Sequence, residues 1–204
     1  MKKPKLRELG EAIRAIVRGP YTTKFPFAPS IPPEAFRGII VFNEERCIGC
    51  GACVEVCPAN AREMIDDLER GVRKNIHHQE VCIYCGQCVR YCTTGDAIKH
   101  TQDYDLAKLK NEEYETFVEK ELAYCEICHK PFATKAQLLW IAKKLGEKAY
   151  ANPTLYLTLS EDLGLVNLQE FAKRGETGPY RSDSVRILCP ECRRQVYLKE
   201  IWGY

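Results

Sequence analysis

Apolar residues change their period several times along this chain, and each change marks an expected element. Leu6, Leu9, Ile13, Ile16 and Val17 recur at three- and four-residue steps, one stripe of a short helix that Gly19-Pro20 closes. Lys2, Lys3, Lys5, Arg7, Arg14 and Arg18 stand against only Glu8 and Glu11, so this segment is net positive by four. Such a helix suits packing on its own domain and equally a foot on a membrane surface or a partner subunit. Pro20, Pro26, Pro29, Pro32 and Pro33 forbid regular helix over 20–38. With Phe25, Phe27, Ile31 and Phe36 interleaved, the stretch reads as an extended arm laid across another protein, or as disorder. Gly38 to Phe42 (GIIVF) predicts a strand, and Val72 to Ile76 after Gly71 predicts a return strand. Between them Arg62 to Arg70 reads as a short turn or helix, and Ala97-Ile98 opens a closing strand. Leu106, Leu109, Phe117 and Val118 among many Glu and Lys predict a helix from Tyr104 to Leu122. Another is expected from Thr134 to Tyr150, through Leu138, Leu139, Ile141, Ala142 and Leu145, with a further piece over Leu155 to Lys173.

Cysteine changes this picture most. Cys47, Cys50, Cys53 and Cys57 spell C-x₂-C-x₂-C-x₃-C, and Cys82, Cys85, Cys88 and Cys92 spell it again, each 35 residues after its counterpart. That run is the one a bacterial-type ferredoxin uses to hold two [4Fe–4S] clusters. A cubane needs four converging thiolates, a tight C-x₂-C-x₂-C loop supplies three, and in two-cluster ferredoxins the fourth cysteine of each run serves the other cluster. The expected sets are therefore Cys47, Cys50, Cys53 and Cys92 for one cluster, and Cys82, Cys85, Cys88 and Cys57 for the other. Gly49, Gly51 and Gly86 offer permissive backbone where amides must turn toward sulfur. Pro58 stops the first run, whereas Thr93 takes that place in the second and leaves that corner less rigid. His77 and His78 read as exposed loop histidines ahead of any proton or metal role.

The chain has 204 residues, more than one ferredoxin module needs, with 30 basic and 28 acidic residues and a formal net charge of +2. No global field points to nucleic acid. Twelve cysteines without a secretory signal argue for a reducing interior, and no apolar run has the length to span a bilayer.

Cys125 and Cys128 form a C-x₂-C pair before Pro131-Phe132, and Cys189 and Cys192 form another before Arg193-Arg194. Two such knuckles facing one another give the Cys₄ tetrahedron that structural Zn²⁺ prefers, although the gap between them is long for a zinc ribbon. Iron of the rubredoxin kind, a third cluster, or bare thiols are the other occupants. Cys125 to His129 also spells C-x-x-C-H, the haem attachment motif, but that reading needs export and orphans Cys189 and Cys192. Lys173, Arg174, Arg181, Arg186, Arg193 and Arg194 raise a nucleic-acid alternative; interleaved acids and the lack of an aromatic platform favour a solvated face or a protein contact.

Phe36-Arg37-Gly38, Cys47-Ile48-Gly49-Cys50-Gly51-Ala52-Cys53 and Cys57-Pro58-Ala59 resemble the two-cluster ferredoxin subunit of respiratory complex I. Tyr104-Asp105-Leu106-Ala107, Cys125-x-x-Cys128-x-x-Pro131-Phe132-Ala133 and Cys189-Pro-Glu-Cys192-Arg193-Arg194-Gln195 are similar to the corresponding subunit of formate hydrogenlyase and related energy-converting membrane-bound [NiFe] hydrogenases. The resemblance runs from about residue 36 to 195 and is weakest over the arm and over 150–188. It implies a peripheral, non-catalytic relay on the cytoplasmic side of the cell membrane. The implied partners are hydrogenase-like small and large subunits and a membrane-arm subunit, with reduced ferredoxin or a formate dehydrogenase module as donor.

The expected fold is α+β: a basic helix and proline-rich docking arm over 1–37, a two-cluster ferredoxin domain over 38–102, a connecting helix over 103–122, and a helical, zinc-ribbon-like Cys₄ domain over 123–204. The expected cofactors are two [4Fe–4S] clusters and one Zn²⁺ or Fe. The leading function is an electron-transfer subunit of a hydrogenase- or complex I-type oxidoreductase. The alternatives are a free-standing soluble carrier, the equivalent subunit of a sulfur- or quinone-reducing relative, or a nucleic-acid-binding protein with structural clusters.

Overall fold

The computed structural model describes residues 5–107, 109, 114–167 and 181–202. The chain divides into two units, one ending at Phe36 and the other beginning at Arg37. In the first, α1 (Leu6–Arg18) is the expected amphipathic helix, its first turn closed where the Lys5 amide donates to Glu8 Oε2 at 3.1 Å. No residue of α1 is buried, and the stripe of Leu6, Leu9, Ile13, Ile16 and Val17 lies exposed. The proline-rich stretch beyond it is irregular, with local turns such as Phe36 N–H to Pro33 O at 2.9 Å.

The second unit begins with a duplicated motif. Strand β1 (Ile40–Phe42), a cysteine loop, helix α2 (Ala52–Glu55) and β2 (Arg62–Asp67) are followed by β3 (Val72–His78), a second loop, α3 (Gln87–Arg90) and β4 (Ile98–His100). The strands cross over: β1 pairs antiparallel with β4, and β2 with β3. Each cysteine run therefore ends in a strand held by a strand of the other copy. The segment Arg62 to Arg70, expected as turn or helix, is strand and tight turn instead. Cross-strand partners Asp66 and Arg73 join it to β3 through a two-point ion pair of 2.7 and 2.8 Å.

The expected helix over Tyr104–Leu122 is replaced over its described C-terminal part, while 108 and 110–113 lie outside the described residues. Residues Glu115–Tyr124 form β5, whose first seven residues pair with the whole of β3 and whose last three pair with β6 (Pro131–Thr134), giving the sheet order β2-β3-β5-β6. The sequence alternates here: Val118 and Leu122 are buried, whereas Glu115, Phe117 and Glu121 point outward. The free edge of β3 satisfies a strand's backbone groups, and period-2 burial outweighs the helix propensity of Glu and Lys. Val118 thereby joins the core of Ile40, Cys47, Cys53, Cys88, Ala97 and Ile98. The sheet also corrects the reading of His77, which lies on β3 and is 0% exposed.

Beyond β6 come α4 (Lys135–Leu145), a 3₁₀ turn (Gly146–Ala151), α5 (Pro153–Asp162) and α6 (Pro190–Trp202). Thr134 caps α4 by accepting from Gln137 N–H at 3.1 Å, and Asn152 caps α5 at 3.0 Å ahead of Pro153. These helices bury Leu138, Ala142, Ala149 and Leu155 against Ala123 and Ala133 of the sheet. The part of the expected 155–173 piece past residue 167 lies outside the described residues, as do Lys173 and Arg174. Among the described residues no helix is long and apolar enough to cross a membrane.

Candidate iron-sulfur and metal centres

The eight cysteines of the two runs gather around two cavities. One, with about 290 Å³ of empty volume, is lined by Cys47, Cys50, Cys53 and Cys92 together with Asn75 and Thr93. The other, of about 300 Å³, is lined by Cys57, Cys82, Cys85 and Cys88 together with Arg62 and His77. They are called site 1 and site 2. The cysteine that ends each run lies with the other run's first three, as the crossed strand pairing requires.

Local backbone repeats with the cysteines. Gly51 and Gly86, 35 residues apart, precede α2 and α3 at φ 76° and 77°, a left-handed conformation that a side chain would strain. Gly49 adopts φ 67°, but its counterpart is Tyr84 at φ 52°, so the second copy holds a non-glycine residue in the same conformation.

The groups around the sulfurs suit an anionic, thiolate-bound centre. At site 2, Ala61 N–H points at Cys57 Sγ (3.3 Å), Tyr84 N–H at Cys82 Sγ (3.4 Å), and Arg62 Nη2 at Cys88 Sγ (3.5 Å). At site 1, the Thr93 and Thr94 hydroxyls lie 3.2 and 3.4 Å from Cys50 and Cys92 Sγ, and Asn75 Nδ2 is 4.0 Å from Cys47 Sγ. Burial pushes the Cys53 thiol up to about 11 against the opposing pull of Arg62, and burial raises Cys47 and Cys82 as well. Burial opposes ionisation of Cys92 too, but the Thr94 hydroxyl and the amides of Ala97, Thr94 and Gly95 outweigh it, so this thiol falls below its ordinary value. Thiols held up by burial ionise when a cationic metal centre takes the proton's place. The donor set therefore fits iron–sulfur clusters.

Asn75, Arg62 and Thr94 were not legible from motif spacing, whereas Thr93 stood out against Pro58 of the first copy. The same comparison of copies could have flagged Arg62 and Thr94, which stand where the other copy has Ala97 and Ala59. Far from leaving a loose corner, Thr93 contributes a hydroxyl to Cys50.

The last four cysteines come together in a third place. Cys125 and Cys128 occupy the turn between β5 and β6, closed by Cys125 N–H to Lys130 O at 3.0 Å, with His129 at φ 56°. Cys189 and Cys192 flank the start of α6. All four sulfurs lie within 4.8 Å of one another, and Cys128 Sγ is 3.9 Å from Cys189 Sγ. A tetrahedral centre with bonds of about 2.3 Å has sulfur–sulfur edges of about 3.8 Å, so the set fits a single metal ion. Burial works against the Cys125 thiolate, but the amides of Cys128, Cys189 and Ile127 outweigh it and bring the thiol to about 7. Cys189 and Cys192 are raised, first by burial and then by neighbouring thiols. Glu126 ties the knuckles together, accepting from Arg186 Nη1 (2.9 Å) and Ile187 N–H (2.8 Å). Arg193 donates to Ser184 O, Arg186 O and Thr154 Oγ1. Arg186 and Arg193, expected on a solvated or partner-facing surface, instead hold this domain together.

Residues 46–95 match the family described as a 4Fe-4S dicluster domain. Formate hydrogenlyase subunit 6 of Escherichia coli (strain K12) is 41% identical over 128 residues, covering 61% of this chain and 69% of that protein. The chain belongs to the formate hydrogenlyase subunit 6 family. The chain is also similar to chloroplastic NAD(P)H-quinone oxidoreductase subunit I of Huperzia lucidula, 42% identical over 57 residues, which cover 28% of this chain and 31% of that protein. A solved chain of a membrane-bound sulfane sulfur reductase, an archaeal respiratory membrane complex, is 26% identical, covers 56% of this chain and 61% of its own, and superposes at a TM-score of 0.40. That likeness is too slight to carry a fold or an activity across.

Proposed function

We propose that this protein is the iron–sulfur electron-transfer subunit of a membrane-associated, multisubunit oxidoreductase of the hydrogenase and complex I-related type. Cys47, Cys50, Cys53 and Cys92 ligate one [4Fe–4S] cluster, and Cys57, Cys82, Cys85 and Cys88 the other. The observation that carries this reading is the sorting of eight cysteines into two crossed sets within one core. Bound clusters supply one-electron redox chemistry. The protein's own part is to hold the sites close, exclude water from Cys47, Cys53 and Cys88, and aim N–H and O–H donors at the sulfurs. It makes and breaks no substrate bond.

Cys125, Cys128, Cys189 and Cys192 hold a structural zinc ion that staples the hairpin turn to α6. The segment before residue 37 is the docking arm, its exposed stripe and positive charge suiting a partner subunit or an anionic lipid surface on the cytoplasmic side. Hydrogenase-like subunits and a membrane arm are the partners, with a low-potential donor such as reduced ferredoxin.

The test is anaerobic purification of the native protein from its membrane fraction. Co-purification with hydrogenase-like subunits, with about eight iron atoms and one zinc atom per chain, is expected. Recovery as a lone monomer carrying two reducible clusters would replace this reading with a soluble carrier.

A further inference from the structure

We infer that Arg62 is a positioning residue for electrons: its buried guanidinium tunes the site 2 cluster by stabilising the negative charge added on reduction. The inference rests on the reading that site 2 holds a [4Fe–4S] cluster.

Arg62 is 4% exposed, a rare place for a guanidinium. Among the described residues no carboxylate forms an ion pair with it. Nη2 donates to Cys88 Sγ at 3.5 Å, while Nε and Nη1, equally buried, have no hydrogen-bond partner. Its Cζ stacks 4.6 Å above the Phe42 ring, which fixes the side chain's plane. The cross-strand neighbour, His77, is fully buried with both ring nitrogens unpartnered, and burial followed by the charge of Arg62 holds it neutral, down to about 3. His77 therefore adds no second positive charge.

An unpaired cation in such a place is costly to bury unless something anionic answers it. The Arg62 side chain lines the site 2 cavity with two unpartnered nitrogens, and a thiolate-bound iron–sulfur centre is the anion that satisfies them. Arg62 reaches site 1 only through its charge, which acts on Cys53, whereas at site 2 it also donates to a ligand sulfur. The residue 35 positions on is Ala97, and of the other cations acting on site 1 ligands, Lys120 acts on Cys47, and Arg73, beside Cys50, is already paired to Asp66 through two bonds. Permanent positive charge in a low-dielectric setting favours the reduced state, because reduction takes up one electron and adds one negative charge. That electron comes from a low-potential one-electron donor, which is oxidised in the same step.

The experiment is an EPR-monitored redox titration of the cluster-loaded protein, with dithionite as reductant, comparing wild type with Arg62→Gln and Arg62→Lys. In Arg62→Gln the reduction equilibrium of site 2 falls by about tenfold, or 59 mV for one electron. Site 1 moves less, and Arg62→Lys recovers most of the shift. An unmoved site 2, or equal shifts in Gln and Lys, overturns the inference. Should both variants lose their clusters, wild-type protein labelled with ¹⁵N-arginine decides. Electron–nuclear spectroscopy then finds a nitrogen coupling to reduced site 2 that survives Arg37→Lys, and its absence overturns the inference. Wild-type protein that binds no iron at site 2 refutes the cluster reading itself and is recognised by metal content before any titration.

Discussion

Ile48 and Ile83 occupy the same place in the two cysteine loops, one residue after the first cysteine, yet Ile48 is 8% exposed and Ile83 is 63% exposed. The cause is everything added after the duplicated motif. Strands β5 and β6 lie over the first loop, where the Thr134 hydroxyl donates to Ile48 O and a Cβ on Gly49 would meet Thr134 Cγ2 at 2.9 Å. At the second loop Arg37 donates to Cys85 O at 2.7 Å and His100 lies beside Gly86, but Val81 and Ile83 stay exposed. Two loops of one ligand pattern have thus become unlike sites. The Ile48 loop of site 1 is covered and this site has neutral hydroxyl donors; the Ile83 loop of site 2 is exposed and this site has a buried guanidinium. Ligand spacing says which metal group is held, and the second layer of residues says how each one differs.

The strongest way to break this comparison is to remove one crossing cysteine at a time. Cys57→Ser removes or converts the site 2 cluster and leaves site 1 reducible, while Cys92→Ser does the reverse. EPR of the reduced variants checks both. If Cys57→Ser damages the cluster held by Cys47, Cys50 and Cys53 instead, the crossed assignment fails.

A smaller effect is expected where β6 supports one loop alone. Thr134 is fully buried, and Thr134→Val strips a donor from Ile48 O and the cap from Gln137 N–H. The loss is about 1–3 kcal/mol in a denaturant titration. Site 1 then releases iron to a chelator faster than wild type, with site 2 unchanged. Equal acceleration at both sites would mean that the β5–β6 cover protects the whole domain.

The smallest expected change sharpens the contrast in donors. Thr93→Val removes the hydroxyl 3.2 Å from Cys50 Sγ, which stabilises negative charge on the sulfur. The reduction equilibrium of site 1 falls by roughly two- to tenfold, the size of one hydrogen bond, and site 2 stays put. A redox titration that finds no movement at site 1 assigns this hydroxyl to solvent.

Much of the duplicated motif was legible because its signals are local. Each C-x₂-C-x₂-C run is a loop whose successive cysteines lie three residues apart, and Gly51 and Gly86 mark the left-handed residues that precede α2 and α3. The strand β5 was not legible from Leu106, Leu109, Phe117 and Val118, since Glu and Lys at helical spacing also fit a strand with one face in water. The free edge of β3, far away in sequence, decided between them. His77 was misread for the same reason: the strand that buries it is completed by Thr116 of β5. In the C-terminal domain both C-x₂-C pairs were plain, but the hairpin turn and helix start that carry them, and the Glu126–Arg186 tie between them, depend on contacts some 60 residues apart.

By itself the sequence determined how many cysteines this protein has, how they group into runs, and which family they place it in, because those properties follow from spacing along the chain. Only the tertiary structure decided what surrounds each set. Arg62, Thr93, Thr134 and Asn75 reach their sulfurs or loops across strand pairings and a crossover. Burial, which sets how strongly a charge or hydroxyl acts, exists only once the chain is packed.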